Sequence, residues 1–332
     1  MTQIKYFLES TGDRADRTAE IEALLRAHGV CCLGDGVFYT RGIKMPPHST
    51  LCGQNEATKV VLDPAPEEGF AVRMEAFCTV RDLTLLGTEG ETAIPADTAV
   101  GTRHGLLFEG TATTKDWMGP DLKLDSIIHG LQIRGFSGGG LTCRDTGYYI
   151  RASITASDCH IVHCGAGINI SHYSEYHKFT NMLCDENGIG CVNNGGNNMF
   201  LNCGFNGNRL GFLIDNSRGQ TPNDAHGSAV GCTINHTDNN KGVGVMLLGV
   251  KNGYVFSGGQ MFFSKIVLED SAAIHFTGMN IGRGTEISVR GGSLTMFTDC
   301  AFLGEPTFTV EDNDAVRVRN CFLKDGNEYI LR

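Results

Sequence analysis

Asp158-Cys159-His160-Ile161, Asn181-Met182-Leu183-Cys184, Asn202-Cys203-Gly204-Phe205 and Gly231-Cys232-Thr233-Ile234 are four versions of one short phrase. Each begins with a small or polar residue, continues with a small or soft one, and arrives at a large apolar residue. The phrase first occurs at Gly130-Leu131-Gln132-Ile133. It returns at Gly258-Gly259-Gln260-Met261, Gly278-Met279-Asn280-Ile281, Asp299-Cys300-Ala301-Phe302 and Asn320-Cys321-Phe322-Leu323. Counted from Leu131, successive second positions lie 28, 23, 21, 29, 27, 20, 21 and 21 residues apart. A period of this size with local insertions is the mark of a solenoid or array.

A second column follows in most repeats: Leu141-Thr142-Cys143, Ile168-Asn169-Ile170, Cys191-Val192-Asn193, Phe212-Leu213-Ile214, Met246-Leu247-Leu248, Ile266-Val267-Leu268, Ile287-Ser288-Val289 and Phe308-Thr309-Val310. Alternation over so few residues predicts short strands with one face buried. Glycine, asparagine and aspartate stand between them, where a corner needs positive φ. A unit of this length cannot bury its own apolar face, whereas a stack of such units can. The column Cys159, Met182, Cys203, Cys232, Gly259, Met279, Cys300, Cys321 then becomes an inward ladder, and its cysteines are core rather than ligands. A leucine-rich repeat is the alternative architecture, but its LxxLxLxxN signature and inter-strand helices are missing. The expected fold is all-β: a single-stranded right-handed parallel β-helix of about ten coils, ~50 Å long by strand spacing.

Composition agrees. Of 332 residues 44 are glycine and only 8 proline, nearly twice the roughly 7% glycine of an average chain. Glycine costs about 1 kcal/mol against alanine inside a helix, which disfavours a helical protein. Lys+Arg 27 against Asp+Glu 37 leaves a net charge of −10 and no footprint for nucleic acid or an anionic membrane. The first residues carry no apolar signal segment, and no apolar run approaches a membrane span. The 13 cysteines contain no CxxC, so reduced thiols are expected and no metal or other cofactor is. A cytoplasmic protein, or a component of a phage or prophage virion, fits these features.

Residues 1–53 are expected to cap the solenoid and run continuously into it, with the β-helix occupying 54–332 as one structural domain. In the cap, Asp16 to Gly29 holds Ile21, Leu24 and Leu25 on one side and ends in glycine, an amphipathic helix with its stop. Open solenoid ends expose unpaired edges, so a cover is required. The interval 87–126 interrupts the repeat as a loop excursion. It contains Arg103-His104-Gly105 and Lys115-Asp116-Trp117, the latter with the single tryptophan.

Three cap features carry a resemblance: the Asp16-x-Thr18-x-x-Ile21-x-x-Leu24 helix, the strand Gly36-Val37-Phe38-Tyr39, and Pro46-x-x-x-x-Leu51-x-Gly53. Together they resemble the entry sequence of the pectate-lyase-like β-helix superfamily, including phage tailspike-like proteins. That resemblance implies a parallel β-helix and a carbohydrate-active or glycan-binding protein; many such members are trimers. The Asn-Thr-Asp, Asp-Asp and Gly-His-Gly signatures of polygalacturonases are absent, and so is the arginine and aspartate pattern of calcium pectate lyases. No catalytic residue of the superfamily is therefore carried over.

The site must be sought in the residues themselves. After each triad of the second column the next residue should face outward: Arg144, Ser171, Asn194 and Asp215. The loops that follow hold Asp145, Tyr148, His172, Glu175, Tyr176, Asn216, Arg218, Asp224 and His226. Fifteen of the 21 asparagines fall between 169 and 240; corner geometry explains most, but not the pooled acids, histidines and tyrosines. Later outward positions, Glu269, Arg290 and Glu311, alternate in sign as a solvated ladder. Glycosidic hydrolysis needs two carboxyl groups flanking the bond. Glu175 and Asp215 are the expected acid/base pair, with Asp145 or Asp224 as substitutes and His172 as a further catalytic candidate. Arg144, Tyr148, Tyr176, Asn194, Asn216, Arg218, His226 and Trp117 are the expected substrate-binding residues. A lyase would instead use His172, Tyr176, Arg218 and His226 for proton abstraction and charge stabilisation. The expected partner is an oligo- or polysaccharide, with a homotrimer compatible with the solenoid. The competing class is a non-catalytic glycan-binding or structural β-helix.

Overall fold

The computed structural model describes residues 6–88, 100–109, 124–144, 152–172, 174–217, 225–236, 242–311 and 315–331. One turn of the chain shows the plan. Lys178–Thr180, Leu183–Asp185 and Ile189–Asn193 are three short strands on three faces. The next turn places Asn198–Leu201 on the first of these strands and Leu210–Asp215 on the third, both in parallel. Repetition builds a 13-stranded face running from Phe7–Leu8 to Val316–Arg319 and an 11-stranded face running from Ile43–Lys44 to Thr307–Val310. The remaining face consists of 6-stranded and 5-stranded sheets, joined where Gly204 bridges Leu183 and Thr233. The 13 rungs exceed the expected ten coils because Phe7–Leu8, Val30–Leu33 and Thr50–Cys52, counted above with the cap, already lie in the first face.

The repeated phrase is the corner between the first and second faces. Asp82, Gly130, Asp158, Asn181, Asn202, Gly231, Gly258, Gly278, Asp299 and Asn320 all have φ between 50° and 66°. Only glycine, and to a lesser degree Asn and Asp, takes this left-handed conformation readily. The following side chain then turns inward: Cys159, Met182, Cys203, Cys232, Met279, Cys300 and Cys321 are each at most 3% exposed. Phenylalanines form a second internal column. Phe179 stacks on Phe200 at 4.9 Å, and Phe256, Phe276 and Phe297 stack at 5.0 and 4.9 Å. Ala229 interrupts this column in register between Phe200 and Phe256, where Phe212 packs edge-on against both.

A glycine column of another kind opens the third face. Gly140, Gly167, Gly190 and Gly211 sit on successive rungs, and a Cβ on any of them would meet a neighbour at 2.2–2.6 Å. At Gly140 and Gly211 the obstacle is an isoleucine methyl of the second face, Ile161 or Ile234. These glycines allow two faces to approach closely, and none needs positive φ.

The helix Thr18–His28 covers the open end. Asp16 accepts from the Thr18 N–H at 3.0 Å, Gly29 ends the helix with φ 67°, and Ile21 and Leu25 are buried on the first coil. The interval 87–126 is more regular than its sequence suggested. Arg103–Glu109 pairs in parallel with Gly69–Met74 and Gly139–Arg144, and Leu124–His129 is a rung of the first face. The long stretches of sequence between these strands lengthen the period and hide the repeat. Among the described residues, no helix is long and apolar enough to cross a membrane.

Candidate functional site

Arg144, Ser171, Asn194 and Asp215 stand at the ends of four successive rungs of the 11-stranded face. The Ser171 N–H donates to the Cys143 carbonyl and the Asn194 N–H to that of Ile170, while the Asp215 N–H donates to Asn194 Oδ1 at 2.9 Å. The four residues therefore form one outward row, as the alternation predicted. At ~4.8 Å per rung, Ser171 and Asp215 are about 10 Å apart along the strand ends.

Below this row lies a compact charged cluster. Glu109 pairs in register with Arg144, and its carboxylate meets Arg73 Nε at 2.8 Å and Arg144 Nη1 at 3.3 Å. Arg144 also reaches His104, with Nη2 3.2 Å from Nε2. On the other side of the ring, Nδ1 accepts from the Gly139 N–H at 3.1 Å and lies 2.9 Å from Thr142 Oγ1. His104 is 4% exposed, and burial, then the Arg144 guanidinium, push its pKa down to about 4. At neutral pH it is therefore a neutral imidazole that accepts at Nδ1 from the Gly139 N–H, with Nε2 facing the Arg144 guanidinium. Sequence reasoning placed Arg144 among the substrate-binding residues but missed Arg73, Glu109 and His104. The missing signal was the stretched coil, which concealed that 103–109 and 139–144 are neighbours.

Above the row, the corner between the third and first faces gathers part of the expected set. Glu175 is 8% exposed, while Tyr176 is 48% exposed and adopts φ 62°. The Tyr176 N–H donates to the Gly196 carbonyl at 3.3 Å, and the His226 ring lies so close that a Cβ on Gly196 would be 2.6 Å from its Cε1. Tyr176 and His226 thus each adjoin Gly196, from the coils before and after it. The Nδ1 of His172 is buried without a hydrogen-bond partner. His177 points inward instead: its Nδ1 accepts from the Ile154 N–H at 3.1 Å, and burial pushes it down to about 3.

Asp215 has a local tie. Its carboxylate accepts from the Ser217 N–H at 3.1 Å and from the Ser217 hydroxyl. Asn216 is 3% exposed, and neither polar atom of its side chain has a hydrogen-bond partner. Beside it lies a depression of about 450 Å³ lined by Asn216, Ser217, Leu248, Gly249, Lys251, Glu269 and Asp270. This volume is within the range of small-molecule sites. Lys251 and Asp270 were absent from the sequence-based set, and Glu269 looked like a member of the solvated ladder. That ladder exists, with Arg290 3.7 Å from Glu269 and 3.3 Å from Glu311.

Asp145, Tyr148, Arg218, Asp224 and Trp117 lie outside the described residues. Most of the asparagine excess is accounted for by corners. Asn187 Oδ1 accepts from the Cys164 N–H at 2.9 Å, and Asn208 Oδ1 accepts from the Asn187 N–H at 2.7 Å. His236 extends this ladder, donating from Nε2 to the Asn208 carbonyl and accepting at Nδ1 from Ser264, both at 2.7 Å. A parallel ladder joins Asp185, Asn206, Asn235 and the Phe262 N–H. Among the described residues no group of three or more His, Cys, Asp or Glu side chains is arranged to hold a metal ion.

No family profile and no curated protein matches the chain. Solved structures do. Full-length tailspike protein 2 from Escherichia coli O157:H7 bacteriophage CAB120 aligns with a TM-score of 0.58 at 15% identity, covering 94% of this chain and 40% of that one. The enzymatically active domain of bacteriophage CBA120 tailspike protein 2 gives 0.55 at 16% identity, with 94% and 45% covered. The catalytic domain of a GH87 alpha-1,3-glucanase in complex with nigerose gives 0.53 at 11% identity, with 97% and 69% covered. The chain therefore spans less than half the length of either tailspike chain. These likenesses establish the fold as a right-handed parallel β-helix.

Proposed function

We propose that the protein acts on an oligo- or polysaccharide, cleaving or rearranging glycosidic bonds by carboxylate acid/base chemistry. The observation that carries this is the continuous polar row of Arg144, Ser171, Asn194 and Asp215. It is flanked by the Arg73–Glu109–Arg144–His104 cluster and by the Glu175–Tyr176–His226 corner. Among the matched structures the same fold carries the enzymatically active domain of a tailspike and the catalytic domain of an alpha-1,3-glucanase in complex with nigerose. Glu175, enclosed in the corner, is assigned as proton donor. Asp215, half-exposed and oriented by Ser217, is assigned as the carboxylate that acts on water or on the sugar. Arg144, braced by Glu109, presents guanidinium donors to hydroxyl or carboxylate groups of the glycan. Asn216, Tyr176 and His226 line the adjoining corner, with Lys251 and Glu269 in the depression beside Asn216.

The variants Glu175→Gln and Asp215→Asn test these roles. Each is expected to lose at least about 100-fold in turnover, the scale of a removed general acid or base, while glycan binding persists. Turnover unchanged in both would remove the pair from the mechanism.

One observation favours a non-catalytic glycan-binding protein as the second reading. The Asp215 carboxylate caps its own turn and its backbone N–H belongs to the asparagine scaffold, duties that a purely structural residue would also perform. Binding without turnover by the wild-type chain would establish that class. We further propose a homotrimer associated through the 13-stranded face. Its outward Ile127, Met199, Leu201 and Val230 are 47%, 52%, 43% and 37% exposed.

A further inference from the structure

We propose that Cys32 and Cys52 form a redox-controlled disulfide that staples the second and third rungs of the first face. The two residues lie opposite each other in parallel register, Cys32 on Val30–Leu33 and Cys52 on Thr50–Cys52. Neighbouring strands stand ~4.8 Å apart, inside the roughly 4.4–6.8 Å Cα separation that disulfides span. Both side chains leave the outward side of the first face, and their sulfurs already approach to 2.7 Å. Cys203 with Cys232 and Cys300 with Cys321 also meet thiol to thiol on successive coils, but all four face the core, whereas Cys32 is open to a reagent.

The pair is asymmetric in a way that suits exchange chemistry. Cys32 is partly exposed, whereas Cys52 is only 3% exposed. Burial, then the neighbouring Cys32, push the Cys52 thiol up to about 12. Arg81 follows Cys52 in register on the next rung and supplies a cation to the row. Phe7 precedes Cys32 in the same row, and Asp82 engages Arg81 as an ion pair.

The reaction balances with a low-molecular-weight disulfide such as oxidised glutathione. The Cys32 thiolate attacks one of its sulfurs, forming a mixed disulfide and releasing one glutathione thiolate. Cys52 then gives up its proton to solvent and attacks the Cys32 sulfur, releasing the second glutathione. Two electrons pass from the cysteine pair to the oxidant. The product closes a 20-residue loop at the end from which a solenoid frays.

The full chain, purified under reductant and equilibrated with oxidised glutathione without denaturant, tests the idea. Thiol counting after subsequent denaturation should show two of the 13 thiols lost. Peptide mapping should find the Cys32 peptide joined to the Cys52 peptide. Dithiothreitol should restore both thiols, and the oxidised form should resist limited proteolysis at its N-terminal coils. Cys32→Ser should abolish the linkage. The proposal fails if all thiols remain, if Cys32 stops at a stable glutathione adduct with Cys52 free, or if a linkage persists in Cys32→Ser. Because Cys32 and Cys52 lie on the first face, away from the polar row, failure here leaves the glycan proposal untouched.

Discussion

At Asn187 and Asn208 the side-chain amide takes over hydrogen bonding that the backbone gives up at a corner. Asn208 accepts from the Asn187 N–H at 2.7 Å and donates to the Cys184 carbonyl at 2.8 Å, with no exposed surface. Replacing it by leucine would leave a buried donor and a buried acceptor without partners, at about 1–3 kcal/mol each. Asn208→Leu is therefore expected to lower the chemical-denaturation midpoint clearly. An unchanged midpoint would mean that the ladder contributes little. The asparagine excess was visible in the sequence, but its division between scaffold and surface was not. Asn194, Asn206 and Asn208 are similar letters in similar loops, and only the register shows that Asn208 points inward while Asn194 stands in the outward row. The left-handed corner column was easier to read, because Asp, Asn and Gly share one conformational advantage there.

The strands and their corners show which sequence signals survive insertion. Alternation identified the rungs at 139–144, 166–170, 189–193 and 210–215, together with their outward ends. It failed at Arg103–Glu109, where the long stretches between strands removed the period, and with that strand went the partners of Arg144. The inward phenylalanine column and the glycine contacts of the third face depend on neighbours a coil away, so single-strand patterns did not reveal them. Buried histidines give these elements a pH dependence. His104 at about 4 and His177 at about 3 lie below the ordinary value near 6.5, mainly through burial. Between those values the unfolded chain binds protons that the folded chain refuses. Their contribution is thus fully present above about pH 6.5 and is lost as pH falls, through about 4 for His104 and about 3 for His177, on the order of several kcal/mol in all. Urea midpoints measured at intervals from pH 7 to 4.5 should fall steadily; a flat profile would contradict the neutral buried state of both rings.

For the whole molecule, period outweighed composition. Glycine content excluded helices, but the recurrence of one phrase gave the solenoid, and the solved β-helix structures agree with it. The outer faces differ in character: the third carries the polar row, whereas the first exposes Ile127, Met199, Leu201 and Val230. If the first face joins three copies, native mass measurement will give a trimer, and Met199→Glu combined with Leu201→Glu will shift it towards monomer; a monomeric wild-type chain would remove that assembly. The polar row would stay outside the contact in either case. Its function is decided by chemistry, and the most direct measurement is digestion of a broad glycan library by the purified wild-type chain, with products followed by mass. Cleaved or rearranged oligosaccharides from at least one glycan class are predicted, and absence of product from every glycan, with binding still detectable, would contradict an enzyme.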